Sequence, residues 1–267
     1  MTLGLLLAVL TVVVAYRARS LSRSGALAAA TLGTVVFGLG GLRWAALLLA
    51  FFISSSALSR LFRRQKAHVA EEFSKGSRRD AAQVAANGGI AGLFVLLHLA
   101  FPAEAWTWLG FAGSLAAANA DTWATELGVL SRQPPRQITT GKPVARGSSG
   151  AISATGTLAA CAGSGMVALL AVLLWQSELS PGAGALLFGG VTLAGVLGGL
   201  VDSLLGATLQ TIYFCPTCQK ETERHPRHKC GSQTERLRGL TWLDNDLVNA
   251  ACTLTGALCA ALLAGLG

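Results

Sequence analysis

The sequence predicts an all-α, polytopic integral membrane protein with about eight transmembrane helices and one small cytoplasmic Cys/His loop. Three observations carry this. Of 267 residues, 52% are hydrophobic and only 13% charged, against roughly a quarter charged in an average soluble domain, and mean hydropathy is +0.54. The apolar residues fall in runs long enough to span a bilayer, about 17 to 25 residues each. The basic residues sit almost entirely in alternate connections. The 32 glycines, many in Ala-rich apolar runs, suit helices that approach closely in lipid.

In order, the spans are read at 2–16, 24–41, 44–58, 84–101, 106–127, 149–175, 183–206 and 246–266. The first has the length of a secretory signal, but no positive charge precedes it and its arginines follow it, so it reads as an uncleaved helix. The whole chain, 1–267, is then one transmembrane domain, with a Cys/His loop at 213–240 inserted before the last helix.

The connections set the orientation. Arg17, Arg19 and Arg23 follow the first span, and Arg60, Arg63, Arg64, Lys66, Lys75, Arg78 and Arg79 follow the third. Arg132, Arg136, Lys142 and Arg146 follow the fifth, and Lys220, Arg224, Arg227, Lys229, Arg236 and Arg238 follow the seventh. Only Arg43 falls on the other side, with Glu104 and Glu178. Basic loops stay in the cytoplasm. The net charge of +8 therefore reports topology, and no nucleic-acid partner is expected. A multi-pass protein of the cell's inner (plasma) membrane follows, with its polar face cytoplasmic and both termini outside. A stretch within the 60–82 loop, or one after Asp202, has the amphipathic look of an interfacial segment. No residue pattern specifies an oligomer.

Charged groups inside a span are costly and mark function. The fifth span ends Asn119-Ala-Asp121-Thr122-Trp-Ala-Thr-Glu126, which puts Asp121 about 22 Å from the outer end. The seventh carries Asp202, about 29 Å in, and the eighth opens with Asp244-Asn245-Asp246. Carboxylates from three spans thus share one depth beside the cytoplasm. That is an oxygen-ligand set for Mg²⁺, with Asp121, Glu126, Asp202 and Asp246 as candidates and Asp244 equally suited to cap the last helix.

Next comes Arg136-Gln-Ile-Thr139-Thr140-Gly141-Lys142-Pro-Val-Ala-Arg146-Gly147-Ser148-Ser149-Gly150, just before a helix. Helix N-termini attract anions, cations add charge-assisted bonds to phosphate, and glycines admit a ligand close to the backbone. The order of residues is not that of the phosphate loop of nucleotide hydrolases. Ser148 or Ser149 as a plain helix cap is the structural alternative. Metal-binding carboxylates beside phosphate-binding cations suit phosphoryl transfer, where positioning and charge neutralisation do most of the catalysis.

Cys215-Pro-Thr-Cys218, followed by His225, His228 and Cys230, has zinc-knuckle spacing. Cytoplasmic thiols stay reduced, so a structural Zn²⁺ on Cys215, Cys218, Cys230 and one histidine is expected, His228 ahead of His225. Cys161, Cys252 and Cys259 lie in spans and read as packing residues. Arg78-Arg79-Asp80-Ala-Ala-Gln83 through Asn87 fits substrate contact or helix capping about equally, and Gly195 with Gly199 reads as a packing motif.

Gln83-Val-Ala-Ala-Asn87-Gly-Gly, Asn119-Ala-Asp121-Thr-Trp-Ala-Thr-Glu126-Leu-Gly, Arg136-Gln-Ile-Thr-Thr-Gly-Lys142, Gly147-Ser-Ser-Gly150-Ala-Ile-Ser153 and Asp244-Asn-Asp246-Leu-Val-Asn249 resemble the membrane family labelled domain of unknown function 92. The likeness covers nearly the whole chain. Relatives in that family include transmembrane protein 19 and the plant phytyl-phosphate kinase. The resemblance implies transfer of a phosphoryl group from a nucleoside triphosphate, CTP by preference, to an isoprenyl monophosphate such as phytyl phosphate. It implies Asp121, Glu126 and Lys142 as catalytic residues, with Asn119, Thr122, Arg136, Thr139, Thr140, Arg146, Ser148 and Ser149 binding nucleotide or lipid phosphate. A cation- or proton-coupled transporter, a CTP-dependent lipid cytidylyltransferase and a scaffold acting through its Cys/His loop are the competing classes.

Overall fold

The computed structural model describes residues 2–62, 78–179 and 182–266. Its helices are α1 (Thr2–Arg17), α2 (Arg23–Val35, carried on by a π-turn at Val36–Gly40), α3 (Leu42–Leu61), α4 (Ala81–Ala100), α5 (Ala105–Gly128), α6 (Ala154–Trp175), α7 (Ala183–Thr208) and α8 (Asn245–Ala261). Each apolar run of the sequence became one helix. Most of the 60–82 stretch, residues 63–77, lies outside the described residues.

Eight spans were expected, but among the described residues five helices are long and apolar enough to cross a membrane: α3, α4, α6, α7 and α8. The shortfall has two causes. α1 and α2 have only 16 and 13 residues. α5 has 24 residues, but its apolar character is diluted by Asn119, Asp121, Thr122 and Glu126. It sits inside the protein, with every residue from Thr107 to Ala120 buried.

Caps fix where the helices begin. The Ser22 hydroxyl accepts from Gly25 N at 3.1 Å, Ser153 Oγ from Gly156 N at 3.1 Å, and Asp244 Oδ1 from Leu247 N at 3.1 Å. Asp80 and Gln83 form a reciprocal capping box at 2.9 and 3.1 Å. Ser153, not Ser148 or Ser149, therefore caps α6, five residues later than expected. Gly147 and Gly150 have φ of +91° and +78°, a left-handed backbone that no helix continues through. The loop they shape is closed by β1 (Arg136–Gln137) pairing antiparallel with β2 (Ala151–Ile152).

The connections sort by end. Ser22 N donates to Arg79 O and Arg79 N to Ser20 O, at 2.9 and 3.0 Å. Arg60 reaches Ser20 Oγ at 2.6 Å, and Ser149 Oγ reaches Gln210 Oε1 at 2.5 Å. Described connections after α1, α3, α5 and α7 thus gather at one end. Arg43 pairs with Glu178 at 3.2 Å at the other, where Trp108 meets Trp44 edge-on at 5.1 Å and stacks on Trp175 at 5.0 Å.

α6, α7 and α8 pack around α5, while α3 and α4 complete its enclosure. Small residues set that closeness. A Cβ on Gly198 would lie 2.6 Å from Ala117 Cβ and 2.7 Å from Cys252 O, and one on Gly195 only 2.8 Å from the Ala116 carbonyl carbon. Gly199, expected to pair with Gly195 in packing, is open to 3.9 Å. The residues at 213–240 form a three-stranded antiparallel sheet in the order β4 (Lys220–Thr222), β3 (Ile212–Cys215), β5 (Glu235–Arg238). Arg238 Nη1 pins it to Gly206 O of α7 at 2.9 Å.

Candidate phosphate and metal site

Beyond Ala120, α5 leaves its sheath of helices and its side chains meet a polar cavity of roughly 2250 Å³, mouth included. α5 contributes Asp121, Thr122 and Glu126, and α7 contributes Asp202 and Ser203. Asn245 and Asn249 come from α8, Gln83 and Asn87 from α4. The loop Arg146–Ile152 forms the opposite wall, and Arg79 and Glu223 close it. Four acidic residues and two arginines therefore line one recess.

The carboxylates are held differently. Glu126, 6% exposed, accepts from Ser59 Oγ at 2.7 Å. Asp202 lies within electrostatic reach of Asp121 and Glu223. Its Oδ2 has no access to solvent and no hydrogen-bond partner among the described residues. A buried carboxylate oxygen in that state either takes up a proton or is met by a cation. Oxygen-only donors from three elements suit Mg²⁺, which takes carboxylates and retains waters.

Side-chain hydrogen bonds tie the loop wall down. Gln210, 2% exposed, takes the Ser149 hydroxyl on Oε1 and donates from Nε2 to Glu223 Oε1 at 3.1 Å. Arg146 Nη2 donates to Ser131 O at 2.6 Å. Arg79 carries a guanidinium 5.5 Å from the Phe51 and Phe52 ring centres. Burial lowers its pKa to about 10, with Glu126 opposing that shift, so it remains a cation at neutral pH.

Of the residues expected from sequence, Asp121, Thr122, Glu126, Asp202, Arg146, Ser148 and Ser149 line this cavity. Others do not. Lys142, Thr139, Thr140 and Arg136 occupy an exposed turn outside the wall, where Arg136 Nη1 binds Gly141 O at 2.8 Å and Thr140 Oγ1 accepts from Lys142 N. Lys142 is thus not among the residues that line the cavity with Asp121, and the hairpin that carries it closes on itself. Asn119 is fully buried. It joins three helices, accepting from Ser54 and Ser55 at 3.2 and 3.1 Å and donating to Gly163 O at 2.8 Å. Asp246 is not in the wall either, because one helical step turns Asn245 and Asn249 there in its place. Asp244 is spent on its cap.

Sequence reasoning missed Glu223 and Gln210. Glu223 sits in an ordinary charged stretch, Lys220-Glu-Thr-Glu-Arg224, and only the fold of the loop returns it to the carboxylates. Arg79, Gln83 and Asn87 carried a weak signal as polar residues opening an apolar helix.

A second cluster lies in that loop. The ligand atoms of Cys215, Cys218, His228 and Cys230 all fall within 4.8 Å of one another. Cys215 Sγ is 3.6 Å from Cys230 Sγ, and His228 Nδ1 is 3.3 Å from the same sulfur. A tetrahedral zinc with Zn–S near 2.3 Å holds its sulfurs about 3.8 Å apart, so the donors fit. His225 instead stacks on Tyr213 at 4.4 Å. Burial pushes the Cys215 thiol up, but hydrogen bonds from the Cys218 backbone and the Cys230 thiol outweigh it and leave it below the ordinary range. The Cys230 hydrogen bond and burial raise Cys218 to about 11.

The chain matches the family described as integral membrane protein DUF92 over residues 6–257. It belongs to that family. Among DUF92 relatives, Protein PGR of Arabidopsis thaliana is 36% identical over 252 residues, covering 88% of this chain and 85% of the relative. An uncharacterized membrane protein of Methanocaldococcus jannaschii is 34% identical over 195 residues, 73% of this chain and 76% of the relative. Protein VTE6, chloroplastic, also of Arabidopsis thaliana, is 29% identical over 247 residues, 91% of this chain and 65% of the relative. No solved structure matches.

Proposed function

We propose that this DUF92 protein is a membrane-embedded phosphoryltransferase, moving the γ-phosphoryl group of a nucleoside triphosphate, CTP by preference, to an isoprenyl monophosphate such as phytyl phosphate. The observation that supports it best is the single cavity in which Asp121, Glu126, Asp202 and Glu223 face the Gly147–Gly150 loop, Arg79 and Arg146. The similarity to a plant relative and the family resemblance point the same way.

In this reading Asp121 and Asp202, with Glu126 and Glu223 beside them, would hold Mg²⁺, which would supply charge neutralisation to the donor's phosphates. Backbone amides and hydroxyls of Gly147–Gly150 grip the donor. Arg79 and Arg146 hold acceptor and donor phosphates apart from bulk water. The γ-phosphorus bond to the β-bridging oxygen breaks, a new bond forms to a lipid-phosphate oxygen, and CDP and the isoprenyl diphosphate leave. The acceptor oxygen is already anionic, so no general base is required. Lys142 has no part in this version.

The fold supports three companion proposals. The Cys215, Cys218, His228 and Cys230 donors hold a structural Zn²⁺ that folds β3–β5 and so delivers Glu223. α1, α5 and α2 with its π-turn, about 24, 36 and 27 Å long, complete eight crossings. The cavity end, which carries the basic connections, faces the cytoplasm with both termini outside.

The test is incubation of the protein in nanodiscs with γ-labelled CTP, Mg²⁺ and phytyl monophosphate. Label in the lipid supports the kinase, and label in released pyrophosphate replaces it with a cytidylyltransferase. No label in either, from protein that binds Mg²⁺, removes both.

A further inference from the structure

A second chamber lies against the first. It is bounded by α1, α2, α3 and the start of α4 and holds about 640 Å³, mouth included. Ala8, Val12, Ala29, Leu32, Phe37 and Leu48 are typical of its wall. The Thr11 hydroxyl is turned back onto Leu7 O at 2.9 Å, so that wall is dry. Its remaining polar side chains are Arg79, Gln83 and Asn87, and the same three line the carboxylate cavity. They are the partition between a greasy space and a charged one.

That partition is built firmly. Arg79 is tied through its backbone to Ser20 and Ser22, and its guanidinium rests over Phe51 and Phe52. Gln83 is fixed in the capping box with Asp80, and Asn87 Nδ2 donates to Gln83 O at 3.0 Å. What fits across such a border has an apolar body and an anionic head. A neutral lipid leaves Arg79 with only the Glu126 carboxylate as counter-charge, and a free nucleotide leaves the apolar wall wet.

We propose that the α1–α4 chamber is the tail site for the lipid substrate, with Arg79 as the residue that holds its phosphate at the partition. This rests on the phosphoryl-transfer reading above. The hydrocarbon lies among α1–α4, and the phosphate meets Arg79 and is presented to the carboxylate cavity. The chamber runs from Ala8 to Ala15 along α1, roughly 10 Å of rise. It therefore holds the isoprene units nearest the head, and the rest of a long tail passes out into the bilayer. Recognition falls on the first units and on the charge, and chain length beyond them is read weakly.

The experiment uses the full chain in nanodiscs and a geranylgeranyl monophosphate with a diazirine in its head-proximal isoprene unit. After irradiation, peptide mass spectrometry is expected to find label in segments 8–15, 29–37 and 48–52. Unlabelled geranylgeranyl monophosphate should compete it away, and geranylgeraniol should not. Label confined to α6–α8, or label in the chamber that the phosphate does not displace, overturns the tail site even if the protein proves to be a kinase. Label in the chamber displaced by the phosphate, from protein that transfers no phosphoryl group, keeps the tail site and removes the kinase. A second readout is kinetic. Ala29→Phe fills the chamber away from Arg79 and should raise KM for geranylgeranyl monophosphate at least about tenfold, with KM for CTP unchanged. Dimethylallyl monophosphate, too short to reach Ala29, should be used as well as before. An equal loss on both lipids overturns the proposal.

Discussion

Gly150→Ala tests whether the Gly147–Gly150 loop is a working wall of the site. Gly150 has φ +78°, and a Cβ there would lie 2.5 Å from Ala207 N and Cβ and 2.6 Å from its Cα. Ordinary contact begins at 3.4 Å, so loop and α7 must part by 3.4 − 2.5, about 0.9 Å. Ala207 is five residues beyond Asp202 on the same helix, so the movement separates the phosphate-gripping wall from the carboxylates. A misplacement of about 1 Å costs on the order of 100-fold in rate, or about 2.8 kcal/mol. The left-handed backbone adds about 1–2 kcal/mol of instability. Gly141→Ala is the control. Its φ is +66°, but nothing lies within 4 Å of the new Cβ, and its turn is outside the cavity. It should show the same backbone cost with activity within about threefold of the parent, since no packed group is disturbed. The assay is label transfer to phytyl monophosphate in nanodiscs, alongside thermal unfolding. Equal activity in the two variants refutes the claim that this loop positions phosphate.

Asp202→Asn should weaken Mg²⁺-dependent activity by at least the roughly 10–100-fold that loss of even an outer-shell metal partner costs, whereas Asp244→Asn keeps its cap and should stay near parent; titration of activity with Mg²⁺ separates them. The protein should bind one zinc per chain by elemental analysis, and Cys218→Ser or chelation should unfold β3–β5 and abolish activity, because structural zinc contributes about 10–16 kcal/mol to folding such loops. Gln210→Leu and Ser149→Ala should prove coupled in a double-mutant cycle on thermal stability, by about 0.5–3 kcal/mol, and additivity would dissolve the latch. Arg79 has its pKa depressed to about 10, so in the proposed tail site affinity for lipid phosphate should hold through neutral pH and fall as pH rises through about 10, and Arg79→Gln should remove that limb.

The helices were legible because lipid imposes a simple rule: a run of apolar side chains must hydrogen-bond to itself. Asp121 and Asp202 were legible for the converse reason, since a carboxylate at that depth has little structural excuse. The number of crossings was harder, because α5 is shielded by its neighbours and its apolar run is diluted by Asn119, Asp121, Thr122 and Glu126. The place of Lys142 outside the cavity lining was not legible, because one-dimensional proximity to Gly147–Gly150 says nothing about a hairpin. The backbone bonds Gln137 N to Lys142 O at 2.9 Å and Val144 N to Pro135 O at 2.9 Å close residues 139–142 into an exposed turn, while Arg146 lines the cavity. Glu223 was invisible because its role depends on β3, β4 and Gln210 together, contacts that no local spacing encodes.

One arrangement explains why packing and chemistry share a helix. Over Thr107–Ala120 α5 is wrapped on all sides, and its small residues let α7 and α8 approach until Gly198 touches Ala117 and Cys252. Helices crossing that closely at one end diverge along their length. Past Ala120 a Cβ on Gly199 would meet nothing nearer than 3.9 Å, and Asp121 and Asp202 line the cavity there. Enlarging Gly198 would move the pivot, and with it every carboxylate distance in the site. Stability in the apolar half and metal geometry in the polar half should therefore fail together in Gly198→Leu, whereas Asp202→Asn should lose the metal and leave the fold intact.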